Sequence, residues 1–274
     1  MKAWIGQLDR ILRGEVTKPE ALREGLRVPV PGLAVVLVLL AAMHGACVGT
    51  FAMVRTGGAA WPQLFASVIK VPMLFFLTLV VTFPSLYVFN ALMGSRLTIG
   101  SAFRLLIVAL ATLIATLASL GPIVAFFAVS TTSYSFMVVL NVTACAVAGV
   151  LGLSFLLRTL HRMVLVQEEL ELPPLSPPPA GAAGPPPEAP AGNPTGAPPP
   201  LPLPAAPWAG PYLRRRVKGV FYVWCLVFAL VGAQMGWVLR PFIGDPNKPF
   251  TFFRERQGNF FEAVGRALSS LLSG

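Results

Sequence analysis

Five long apolar stretches dominate the pattern of hydrophobic and polar positions along this chain. A helix needs about 20 consecutive apolar residues to cross the hydrocarbon core of a bilayer. The pattern therefore predicts an all-α, polytopic transmembrane helix bundle of about five spans, with four or six as the alternatives. The third stretch is long for one span, and Gly121-Pro122 predicts that its helix kinks or ends there. The stretches are Pro31–Val54, Val71–Met93, Ala102–Val129, Tyr134–Leu157 and Gly219–Leu239.

The segments around the four-span region 30–158 differ in composition. Residues 1–29 form an amphipathic region whose first helix is predicted to lie on the inner leaflet or to pack on the protein itself. Residues 159–218 extend the fourth span and then become a linker, because residues 173–211 hold 17 of the 27 prolines and are predicted to be a disordered spacer. The fifth span occupies 219–240, and a Phe-rich tail with an amphipathic helix occupies 241–274.

The net charge is +10. The positions of the Lys and Arg residues along the chain fit a membrane topology better than a nucleic-acid-binding surface. If the N-terminus is cytoplasmic, inside segments carry fourteen Lys and Arg residues and outside segments carry seven, with Lys70 counted in the loop 55–70. Cytoplasmic segments of membrane proteins are enriched in Lys and Arg. The count predicts a cytoplasmic N-terminus, an extracytoplasmic C-terminus, the lipid bilayer as the surrounding partner and no nucleic acid.

Groups that usually perform catalysis are scarce in this sequence. Only 12% of the residues are charged, against about 25% in soluble domains, and no carboxylate occurs from Gly25 to Gln167. No nucleotide-binding loop, hydrolase nucleophile motif or metal-ligand spacing is present. We therefore expect no enzyme activity, no catalytic or metal-binding residues and no cofactor. The three cysteines fall in predicted spans, where they are interpreted as packing residues.

Small residues recur at helical spacing in two spans. Gly232 and Gly236 form a Gly-xxx-Gly pair in the fifth span, and Ala144, Ala148 and Gly152 repeat every four residues in the fourth. Small residues at this spacing let helix backbones approach closely. The main interpretation is packing within one chain, and the alternative is a seam between two copies.

The tail after the fifth span is rich in phenylalanine. Five of these residues lie between Phe250 and Phe261, interleaved with charges. Aromatic residues beside a span suit the membrane–water interface. We expect the tail to form an ordered cap on the bundle, the alternative being rings that dip into lipid without fixed structure. Arg240 is expected to snorkel or to pair with Asp245 or Glu255. The candidate interaction or packing residues are Gly232, Gly236, Arg240, Arg254, Glu255 and Arg256.

His44 is the ionisable residue of the first span, and ionisable residues inside membranes are functional candidates. The commoner case is a neutral His that bonds to a neighbouring helix. Together these features predict a non-enzymatic membrane scaffold or accessory subunit that assembles with itself or with other membrane proteins. The alternative is a transporter or channel for a small apolar or anionic solute. That alternative needs a water-accessible path, and its candidate lining is His44, Asn90, Thr116, Asn141 and Gln234.

The string Gly232-Ala-Gln-Met-Gly-Trp-Val-Leu-Arg-Pro-Phe-Ile-Gly244, with Pro249-Phe-Thr-Phe-Phe-Arg-Glu and Gly258-Asn-Phe-Phe-Glu-Ala-Val264, resembles a family of bacterial inner-membrane proteins. The resemblance covers about thirty residues and implies a bacterial inner-membrane location, but no activity. The five-span layout more loosely resembles Yip-type membrane proteins, which act in membrane organisation and trafficking. The long proline-rich insertion departs from a compact Yip-type bundle.

Overall fold

The computed structural model describes residues 2–18, 20–21, 28–58, 60–92, 99–171, 209–255 and 258–273. Over these residues the protein is all-helical, which confirms the predicted fold class. The predicted proline-rich linker, apart from its last three residues, lies outside the described residues. The helices are α1 (Lys2–Leu12), α2 (Val30–Arg55), α3 (Trp61–Leu92), α4 (Ile99–Ser130), α5 (Tyr134–Glu171), α6 (Ala209–Val238) and α7 (Phe260–Leu272), with a 3-10 turn at Glu15–Thr17.

Four helices are long and apolar enough to cross a membrane. Their apolar segments are Val30–Arg55, Trp61–Ser85, Gly100–Ser130 and Tyr134–Leu160, so the chain is a multi-pass membrane protein. The apolar part of α6, Tyr222–Val238, is shorter than the other four within the described residues. Large apolar side chains such as Val80, Phe126 and Val150 are exposed on the outside of these helices, where they suit contact with lipid.

Two details of the predicted spans are corrected by the structure. Pro122 lies inside α4, which continues to Ser130, so the prediction that the helix could end at Gly121-Pro122 is wrong. Neighbouring helices can satisfy the backbone groups that a proline frees in a membrane helix. The second span also begins earlier, at Trp61, so Lys70 is part of a membrane helix and not of a loop.

Helix α2 stands at the centre of the bundle, packed on α3 and on α4. Helix α5 packs on the other side of α4, and α6 packs on α3, which gives the order α5–α4–α2–α3–α6 around the bundle. Gly45 and Gly49 allow the close approach of α2 to α3, because a Cβ atom at Gly45 would lie 2.5 Å from the carbonyl oxygen of Ser67. This glycine pair was not among the small residues singled out from the sequence.

The two ends of the bundle carry different parts of the chain. At one end, here called the C-terminal face, Arg55 Nη2 donates to the carbonyl oxygen of Val129 at 3.0 Å and to that of Thr131, which joins the turn after α2 to the turn after α4. The tail from Arg240 and helix α7 lie at this face. The opposite end, the N-terminal face, carries α1 and the 3-10 turn.

Helix α1 packs on the protein through one side and leaves another side open. Leu8 and Ile11 are buried against the bundle, whereas Ile5 and Leu12 are about half exposed. Arg162 Nη1 at the end of the fourth span donates to Thr17 Oγ1 at 3.2 Å and holds the turn that follows α1. The helix therefore packs on the protein itself while its apolar outer side remains available to a bilayer surface.

Candidate ligand-binding cleft

A cleft of about 1360 Å³ separates α5 from α6. It exists because each of these helices packs on a different neighbour, α5 on α4 and α6 on α3, and the two touch each other little. Residues of α2 and α4 form its back wall, and the tail and α7 close its end at the C-terminal face. Helix α7 reaches across this end, since it contacts both α5 and α6.

The side walls of the cleft are apolar and differ in length. On α5 the lining runs from Tyr134 to Leu153, which is about 29 Å at 1.5 Å per residue. On α6 it runs from Phe228 to Trp237, which is about 14 Å. Both helices therefore enclose the cleft only in the half of the bundle that is nearer the C-terminal face.

His44 and Asn141 bring polar groups to the apolar interior of the cleft. His44 is 1% exposed, and neither ring nitrogen has a hydrogen-bond partner among the described residues. Asn141 and the backbone of Leu117 lie near the ring, but neither contact has the geometry of a hydrogen bond. The predicted hydrogen bond from His44 to a neighbouring helix is therefore not made in the described part of the chain.

A polar stripe on α3 holds the tail over the cleft. Gln63, Ser67 and Lys70 are spaced i, i+4 and i+7, so they share one face of the helix, and all three are buried. Gln63 Nε2 donates to the carbonyl oxygens of Pro241 at 3.3 Å and of Phe242 at 3.1 Å, and Ser67 Oγ also donates to the latter. The stripe thus binds the backbone at the start of the tail.

Lys70 extends this attachment further along the tail. Its Nζ donates to the carbonyl oxygen of Pro241 at 3.2 Å and to that of Phe252. The ammonium also lies 4.6 Å from the centre of the Phe252 ring and 5.4 Å from that of Phe253. These carbonyl and aromatic contacts compensate for burial of the charge, since no ion pair to Lys70 occurs between described residues.

Arg240 stands where α6 ends and the tail begins, and its guanidinium is held on two sides. Its Cζ lies 3.6 Å from the centre of the Trp237 ring, and Nη2 donates to the backbone carbonyl oxygen of Glu255. The backbone N–H of Arg254 donates to the carbonyl oxygen of Arg240 at 3.3 Å, which places these two arginines side by side. Burial, with the nearby charges of Arg254 and Arg266, lowers the pKa of Arg240 below its usual value.

The candidate residues fall into three groups. Gly232 and Gly236 line the cleft and face α3, where added Cβ atoms would lie 3.6 Å from Thr78 and 3.9 Å from Leu74. Arg240, Arg254 and Glu255 line the end of the cleft, but the expected ion pair of Arg240 with a carboxylate is wrong, because its partner is a backbone carbonyl. The third group is Arg256, which lies outside the described residues.

The polar path needed by the transporter alternative is only partly assembled. His44 and Asn141 line the cleft together. Thr116 is not among the lining residues, and its hydroxyl donates to the carbonyl oxygen of Thr112 within α4. Gln234 is exposed and also stands outside the lining, and the side chain of Asn90 is outside the described part of the structure. The described cleft therefore has mainly apolar side walls, the pair His44 and Asn141 in its interior and charged residues at one end, and it is not the polar path that the transporter alternative needs.

Neither the stripe on α3 nor the cleft was predicted from the sequence. The stripe had a signal in the sequence, namely three polar residues at helical spacing just before a recognised span. The cleft had no comparable signal, since it depends on which helices fail to touch. No family model, curated protein or solved structure shows a significant match to the chain. The resemblance of the tail to bacterial inner-membrane proteins therefore stays a prediction.

Proposed function

We propose that this chain is a non-enzymatic membrane protein that binds a lipid-like, amphipathic molecule in the cleft between α5 and α6. The observation that carries the proposal is a cleft of about 1360 Å³ with apolar walls at membrane depth and charged residues at one end. An amphipathic molecule has the same division, because its chain requires apolar walls and its head requires polar partners.

The dimensions of the cleft favour a lipid over other occupants. Pockets for small molecules measure about 300–1,000 Å³, so the cleft exceeds that range. A spanning helix about 30 Å long would be enclosed by both walls over only about half of its length, because the α6 wall covers about 14 Å. The half enclosed by both helices is about 14 Å deep, close to half of the roughly 30 Å hydrocarbon core. One leaflet of lipid has that depth.

The polar pair inside the cleft adds a point of selectivity. An unpaired buried polar group costs about 1–3 kcal/mol, so a ligand whose polar atom reaches His44 gains from satisfying it. The ester or hydroxyl group of a lipid below its headgroup has the required chemistry. We assign binding rather than catalysis to this pair because neither ring nitrogen of His44 is hydrogen-bonded to a nucleophile or a carboxylate among the described residues.

The charge distribution and the helix order support a topology for the chain. We propose that α6 also crosses the bilayer, that the N-terminal face is cytoplasmic, and that the C-terminal face is extracytoplasmic, in a bacterial inner membrane. The cleft would then open to the outer leaflet. Reporter fusions after Arg162 and after Gly274 test this topology, and the same side reported by both would contradict it.

The binding proposal is tested by blocking the cleft and counting retained lipid. Val142 lines the cleft, whereas its neighbour Thr143 is exposed and does not. We expect Val142→Trp to fill the cleft and to reduce the lipid that co-purifies in mild detergent, measured by native mass spectrometry. Thr143→Trp, which places the same side chain on a neighbouring face, should retain lipid like the wild type. Equal retention by both variants would refute the proposal.

A scaffold or accessory role is a second candidate, and the exposure of α5 favours it. Only 22% of its apolar segment is buried within the described structure, against 61% for α4. Another membrane helix could cover the outer side of α5, where Val147 and Leu151 are exposed. Chemical cross-linking in membranes through single cysteines at these two positions tests this role, and no cross-linked product from either would count against it.

A further inference from the structure

Three arginines from three parts of the chain meet at the closed end of the cleft. Arg240 ends α6, Arg254 comes from the tail, and Arg266 belongs to α7, and all three line the cleft. Their positions are set by backbone structure, because Arg254 is hydrogen-bonded to Arg240 through the main chain and Arg266 lies on a helix. Such convergence of like charges is unfavourable without an anion nearby.

The carboxylates around this end offset the charge of the three arginines only in part, although Glu262 lies one turn before Arg266 on α7. Asp245 faces Lys248 at 3.6 Å, and Glu262 accepts a hydrogen bond from Asn259 Nδ2 at 2.8 Å. Glu255 receives Arg240 through its backbone carbonyl, not through its side chain. No ion pair between described residues involves any of the three arginines. Among the described residues, four cations and two carboxylates line the cleft, so its end is positive.

The guanidinium of Arg240 retains free hydrogen-bonding capacity. Its Nε is buried and has no hydrogen-bond partner among the described residues, although its Nη2 is engaged and its plane is stacked on Trp237. Guanidinium groups form paired hydrogen bonds with phosphate oxygens, and stacking fixes the plane before the ligand arrives. An arginine held in this way is suited to receive an oxyanion.

We infer that Arg240, Arg254 and Arg266 bind the phosphate of an anionic phospholipid whose acyl chain occupies the α5–α6 cleft. The inference rests on the proposed lipid-binding function and names its ligand class. The arginines lie where the spans end, which is the depth of the headgroup. A phosphodiester without a balancing cation complements their charge, whereas the ammonium group of a zwitterionic headgroup would face them unfavourably.

The test uses the full-length protein, stripped of lipid and exposed to mixed vesicles of phosphatidylglycerol and phosphatidylcholine. Native mass spectrometry counts each retained lipid. We expect the wild type to retain phosphatidylglycerol with at least about tenfold preference over its share of the mixture. Replacing the three arginines, R240Q, R254Q and R266Q, should reduce this preference to about onefold. The matched control R10Q with R13Q removes exposed charge from the N-terminal face and should preserve it.

The outcomes separate the inference from the proposed function. If Val142→Trp lowers total lipid but the wild type shows no preference between the two headgroups, the inference is overturned and lipid binding stands. If Val142→Trp retains as much lipid as the wild type, the proposed function fails as well. Should the triple variant fail to fold, the preference of the wild type for phosphatidylglycerol is measured at two salt concentrations instead. The preference must fall when salt rises from 50 to 500 mM, and constancy would overturn the inference.

Discussion

The contact of Lys70 with the tail makes the sharpest prediction. Lys70→Met keeps a long apolar side chain in α3 but removes the ammonium that donates to the carbonyl oxygens of Pro241 and Phe252. Pro241 keeps a donor, because Gln63 Nε2 also reaches its carbonyl oxygen at 3.3 Å. Phe252 loses the donor to its carbonyl, together with the cation that lies 4.6 Å from the centre of its ring.

The expected loss of tail stability in Lys70→Met is the sum of two lost contacts and one favourable change. A hydrogen bond to a charged group contributes about 1.5–3 kcal/mol, and a cation–π contact about 0.5–2 kcal/mol. The gain is that the ammonium no longer has to be buried, which offsets part of both losses. We expect a net loss of about 1–2 kcal/mol in the free energy that holds the tail, or roughly a 5- to 30-fold rise in its open population.

Hydrogen–deuterium exchange of residues 241–255 measures this opening directly. In Lys70→Met the tail amides should exchange roughly 5- to 30-fold faster than in the wild type, while α4 keeps its protection. Lys248→Met is the control, because Lys248 is 62% exposed and its Asp245 partner lies at 3.6 Å. A surface pair of this kind contributes about 0–1 kcal/mol. Unchanged tail exchange in Lys70→Met would refute the assigned role of Lys70.

Two further substitutions test the helix packing, both by thermal unfolding in detergent. Gly45→Ala should destabilise the protein by about 1–3 kcal/mol, because its Cβ atom would lie 2.5 Å from the Ser67 carbonyl oxygen. Gly149→Ala is the control and should not destabilise the protein, because the space around its Cβ atom is open. Equal melting temperatures of the two variants would contradict the close approach of α2 to α3. Trp224→Phe should cost about 0.5–1.5 kcal/mol through loss of the indole hydrogen bonds to α3, and Tyr222→Phe at an exposed position is its control.

The helices that cross the membrane could be predicted from sequence because length and hydrophobicity determine them. The predicted fourth span, from Tyr134, begins where α5 begins, and the amphipathic helix predicted within the tail is found as α7, from Phe260 to Leu272. The start of α3 was predicted ten residues too late, because a lysine normally marks the end of an apolar stretch. Its charge is tolerated here by carbonyl groups that lie more than 170 residues away in the chain.

The cleft could not be predicted from the pattern of the helices. Apolar residues such as Val138 and Val142 would look the same whether they faced lipid, another helix or a cavity. Which of these surroundings they meet depends on how α5 and α6 pack on their neighbours. Arg240, Arg254 and Glu255 were singled out in the tail by their charges, but their convergence with Arg266 required the folded backbone.

The polar stripe of α3 also constrains the order in which the protein assembles during synthesis. Its tail partner Pro241 lies 171 residues after Lys70 in the chain. The ribosome makes α3 long before it makes the tail, so this early helix enters the membrane with a lysine whose tail partners do not yet exist. The contacts of Lys70 form only after α6 and the tail have been made, and a chain that stops before Pro241 leaves the lysine of α3 without the carbonyl groups that receive its charge.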